Sequence, residues 1–155
     1  MDAVRLIVTS GRALAAGGEV PDVLTEVWQV QALAQAIGSR LALHGPPELR
    51  GEAVGLSELA ARGCGVLRPG GPAPGARADQ LTELGDARQA LMRLGTLLGE
   101  TGIALVGIAC AADDEATYWQ CVEAIDAADE SRDRVLEMLR KLAERDGELL
   151  EREAG

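Results

Sequence analysis

Residues 94–144, LGTLLGETGIALVGIACAADDEATYWQCVEAIDAADESRDRVLEMLRKLAE, carry the two patterns that decide the fold. In the second part of this stretch Cys121, Ile125, Ala128, Val135, Leu136, Leu139 and Leu142, with Leu150 just beyond it, gather on one side of a helical wheel. Glu123, Asp126, Glu130, Asp133, Glu137 and Glu144 fall opposite. From Leu91 to Cys110 the first part is apolar almost all round, with Arg93, Thr96, Glu100 and Thr101 confined to a narrow polar stripe. A helix of that kind is expected to be the central, most buried one of a bundle. The acids Asp113, Asp114 and Glu115 between the two parts favour a helix N-terminus. The spacing therefore predicts a long C-terminal hairpin, a fourth helix from about Asp79 to Ala112 and a fifth from the acidic turn to about Arg152.

Working outward, Asp2 is placed to cap a first helix that ends at Gly17-Gly18, and Pro21 suits the first turn of a second running to His44. Gly45 and Pro46-Pro47 then reverse the chain into a third helix reaching about Leu67. The stretch RPGGPAPGAR (68–77) reads as a flexible linker inside a single domain spanning residues 1–155. Strand-forming residues never alternate with polar ones over a useful length. The expected fold class is all-α, an antiparallel bundle of about five helices.

Composition agrees with that class and narrows the chemistry. Apolar residues make up 47% of the 155, mostly Ala and Leu, with no Phe, one Tyr and two Trp, so the core is built from small helix-favouring side chains. The net charge of −10 lies in the second half: residues 1–78 hold seven acids and seven bases, residues 79–155 eighteen acids and eight bases. A surface that negative repels phosphates, which argues against nucleic acid and anionic lipid as partners. The run 94–112 approaches the roughly 20 apolar residues that span a bilayer. Glu100, two Thr, four Gly and the acids that follow favour a core helix over a membrane helix. Three cysteines (Cys64, Cys110, Cys121) without a CxxC pair are expected to be reduced, buried small hydrophobes. An acid at position 2 and two Arg within the N-terminal apolar run disfavour a signal peptide, so a cytoplasmic location is expected.

His44 is the only histidine, which removes metal sites built on paired histidines and triad catalysis; its place at the end of the second helix suits the exposed carbonyls there. Asp113-Asp114-Glu115 lacks the neighbouring bases that a diphosphate site needs. No phosphate loop or nucleophile elbow occurs, and neither a catalytic residue nor a cofactor is expected. Two helix edges remain as candidate binding surfaces. Trp119, Glu123, Asp126 and Glu130 recur at turn spacing on the polar side of the fifth helix, where an indole beside carboxylates suits a small cationic ligand or an Arg of a partner. The ordinary alternative is a packed Trp beside solvated acids. Trp28, Gln31 and Gln35 border the apolar stripe of the second helix, and amides beside a Trp suit a small ligand held between helices, or hydrogen bonds across an interface. Gly51/Gly55 and Gly95/Gly99 are spaced for close helix approach.

The strings WQVQALAQAIGSRLALHGPPELRGEA (28–53) and YWQCVEAIDAADESRDRV (118–135) resemble a family of small helical proteins of Streptomyces and related actinomycetes, a domain family of unknown function. That resemblance implies no catalytic residue. The residues themselves favour a non-enzymatic bundle that works through contacts with a protein partner or as a homodimer, using the acidic face of the fifth helix or a glycine-lined apolar face. The alternative is a small-ligand sensor with a pocket between helices. Third comes an enzyme of unrecognised type using Glu100 or His44.

Overall fold

The structure is a computed structural model that describes residues 1–67 and 75–154. The described residues form five α-helices, α1 (Ala3–Ala16), α2 (Val20–His44), α3 (Arg50–Val66), α4 (Ala87–Ala111) and α5 (Glu115–Ala154), with short 3-10 turns at Pro47–Leu49 and Arg77–Gln80. The fold is an all-α bundle, and its helices share one apolar core.

The helix ends follow their capping chemistry. The Asp2 carboxylate accepts from the Arg5 amide at 2.8 Å and starts α1. The chain turns into α2 through Gly17 and Gly18, whose φ values of 69° and 123° suit residues without a Cβ. Asp86 accepts from the Gln89 amide at 2.9 Å and starts α4. Asp114 does the same for α5, accepting from the Thr117 amide at 2.9 Å, and these hydrogen bonds hold its carboxyl below the usual range. The predicted start of the fourth helix near Asp79 is therefore corrected to Ala87. Gly85, with φ 72°, breaks the helix, and residues 75–86 run as an irregular strap instead.

That strap is tied at both ends, unlike the free linker expected through residue 77; residues 68–74 of the expected linker lie outside the described residues. Gln29 on α2, buried, donates from its amide nitrogen to the Gly75 carbonyl at 3.0 Å, and its amide oxygen accepts from the Arg77 backbone N–H at 2.9 Å. Arg77 pairs with Glu26 one turn away. Further on, Arg40 donates to the carbonyls of Leu81 and Thr82, and the Met1 nitrogen donates to the Gln80 carbonyl. Ala78 and Leu81 anchor the strap in the core.

Two antiparallel hairpins make the bulk. α2 and α3 approach so closely that a methyl on Gly38 would lie 2.9 Å from the Ser57 backbone nitrogen. A methyl on Gly63 would lie 2.7 Å from the Gln31 amide. Close approach thus uses Gly38 and Gly63. Of the glycines singled out by spacing, Gly51 has open space, whereas Gly55, Gly95 and Gly99 admit Arg134, Val135 and Arg132 of α5.

The centre of the bundle is α2, which touches α1, α3, α4 and the strap and buries Val27, Val30, Leu33, Ala34, Ile37 and Leu41. This overturns the expected central position of α4. One side of α4 fills the core with Leu91, Leu94, Leu98 and Leu105, but only 33% of its most apolar 18-residue stretch is buried. A wheel with apolar residues on every side cannot say which side is covered. On α5 the expected stripe is also rotated: Cys121, Ala128, Val135 and Leu142 are buried as expected, while Leu136 and Leu150 are exposed, and Ala124, Ser131 and Met138 take the inner positions.

Candidate functional site: the outer face of α4

The exposed side of α4 carries a seam at alternating spacings of four and three residues: Met92, Thr96, Gly99, Ile103, Val106 and Cys110. Ile103 is 75% exposed, the highest value among the large apolar side chains exposed on the described surface, Met92 is 56% and Val106 48% exposed. Cys110 is exposed as well, which corrects its expected burial, whereas Cys121 is buried and Cys64 half-buried. Burial pushes the Cys64 thiol up to about 11 and raises Cys121 too.

Charged groups border this seam. Arg93 and Glu100 lie on the α1 side, where they line a depression of about 460 Å³ with Arg12. On the α5 side Arg132 approaches Gly99 and Asp129 approaches Gly102. Toward its C-terminal end the seam adjoins an apolar groove of about 620 Å³ between α1, α2 and α4, lined by Leu14, Val20, Val23, Ala104 and Ile108, with Asp113 and Asp114 completing it.

The two edges expected from sequence fare differently. Trp28 and Gln35 do line a common hollow of about 340 Å³ beneath Ala76 and Ala78 of the strap. Gln31 does not join them: it is fully buried at the junction of α2, α3 and α5, where its amide oxygen accepts from the Ser131 hydroxyl at 3.2 Å. The three residues share an edge on an ideal wheel, but α3 and α5 cover one side of that edge. Trp119 is 58% exposed and meets Tyr118 edge-on, ring centres 5.2 Å apart. Glu123, Asp126 and Glu130 are exposed along the turns that follow, and Glu130 borders a shallow hollow with Leu59, Asp133 and Arg134.

Other interacting residues escaped the sequence reading. Glu52 on α3 receives Arg134 and Lys141 of α5, and its carboxyl lies below the usual range because both cations hydrogen-bond to it. Gln29 and the Glu26–Arg77 pair, which dock the strap, were also missed; their partners lie more than 40 residues away, so no local pattern marks them. No group of three metal-ligating side chains occurs among the described residues. His44 is exposed at the end of α2, beside a hollow of about 380 Å³ shared with Arg40 and Glu83.

No curated protein and no solved structure matches the chain. A family match does exist, and it covers residues 1–141, taking in all of α1 to α4 and most of α5. By that match the chain belongs to the family described as Family of unknown function (DUF6099).

Proposed function

We propose that this protein is a non-enzymatic helical bundle that acts by holding another protein chain against the outer face of α4. One observation carries the reading: a helix as apolar as α4 leaves Ile103 75% exposed at the middle of a regular seam. Isolated apolar residues on a surface are ordinary, but several at regular spacing along one helix face, rimmed by charges, suit a contact surface. A bilayer suits this face less well. Arg93, Glu100, Asp129 and Arg132 flank the seam, and the negative second half of the chain repels anionic lipid.

A photo-reactive side chain placed at position 103 and, as a control, at Leu43, which is 70% exposed on α2, tests this in the cells that make the protein. A discrete protein adduct from position 103 alone supports the reading. Lipid adducts, equal labelling at both positions, or no adduct at 103 overturn it.

A second reading, small-ligand binding, rests on the groove lined by Leu14, Val20 and Ile108, whose Asp113 and Asp114 suit an apolar amine. Thermal shifts across a series of alkylamines, abolished by Asp113→Asn, would support it; a flat series would dismiss it.

A further inference from the structure

Taking the outer face of α4 as the contact surface just proposed, we infer that its occupant is a second copy of this chain, packed with α4 antiparallel to α4 about a two-fold axis at Ile103. A two-fold interface must be complementary to itself, and this seam is. Centring the axis on Ile103 sets Gly99 of one copy opposite Gly107 of the other, twice, and Gly107 has open space where a Cβ would stand. The open space at Gly107 then leaves room for the Arg132 side chain that lies beside Gly99 of the other copy, on both sides of the paired Ile103 residues. The same centring sets Arg93 opposite Asp113, ten residues to either side of the axis. Each end of the seam therefore meets charge of the opposite sign. A parallel pairing would set Arg93 against Arg93 and Asp113 against Asp113, and like charges in contact oppose such an arrangement. The antiparallel register satisfies apolar burial and the charges at both ends together.

The test uses the full chain with Cys110→Ser, so that the exposed native thiol does not compete. Ile103→Cys in that background is treated with a short bismaleimide at micromolar protein, beside Leu43→Cys as control. The expected result is a covalent dimer from position 103 and none from position 43. Charge variants give an independent reading without new thiols. Arg93→Glu and Asp113→Arg alone each weaken self-association about tenfold, because each alters two symmetric contacts, and the double exchange restores most of it. Equal cross-linking at both positions, or no rescue in the double exchange, overturns the two-fold register. A chain that stays monomeric at about 100 μM while position 103 still captures a different protein overturns self-pairing and leaves the α4 contact reading intact. Absence of both self-association and capture removes the two together.

Discussion

The tightest points of the molecule are single residues. Gly38 and Gly63 sit where α2 and α3 touch, and a methyl at either collides with backbone or with a buried amide. Gly38→Ala and Gly63→Ala are each expected to destabilise the fold by about 1–3 kcal/mol through overpacking, measured by chemical denaturation. Gly147 on α5 meets nothing within 4 Å, so Gly147→Ala is expected to stabilise by about 0.5–1 kcal/mol through helix propensity alone. The three thiols differ as sharply. Cys110 is exposed, whereas Cys121 is buried and Cys64, pushed up to about 11, holds its proton. In dilute protein, before the α4 faces pair, a maleimide at neutral pH should label one thiol in the native protein and three in denaturant; three labelled natively would contradict the burial described.

At the scale of elements, the α3–α5 contact is tied by Glu52, which faces Arg134 and Lys141. Because its carboxyl is lowered in the folded state, the stabilisation is present above the ordinary Glu value of 4.5 and is lost as pH falls through the folded value. Glu52→Gln should therefore melt earlier than the wild type at pH 7, with the difference closing in acid. The strap offers a second check: Gln29→Ala removes both hydrogen bonds to Gly75 and Arg77, so amide exchange in residues 75–81 should rise while that in α2 stays slow. The elements also show what a sequence reveals. Helix existence, the αα-hairpin at Gly45 and the acidic start of α5 were legible because caps, breakers and period are local. The start of α4 was not, since an apolar pattern continues through Ala78 and Leu81 even though the strap pairs with the chain start and breaks at Gly85. The outer seam of α4 lies in plain sequence as well. It went unread because a helix apolar on every side gives no clue to which side its neighbours cover. Gln31, by contrast, looked like an edge residue until α3 and α5 enclosed it.

For the whole molecule, the distribution of charge and apolar surface points in one direction. The core is filled by Leu and Ala, and the three aromatic residues stay outside it or at its margin. The second half carries the excess acid, yet the outer face of α4 is an apolar strip with Arg93 near one end and Asp113 beyond the other. Self-association through that strip would remove the largest exposed apolar side chains of α4 from water, each worth roughly 1.5–3 kcal/mol when fully buried. The most direct measurement is the solution mass of the unmodified chain by sedimentation equilibrium from about 1 to 100 μM, beside Ile103→Glu. The prediction is a wild-type mass that rises to twice that of one chain and a variant that remains at one chain and melts where the dilute wild type does. A wild type that holds the mass of a single chain throughout, or a variant that still dimerises, would contradict it.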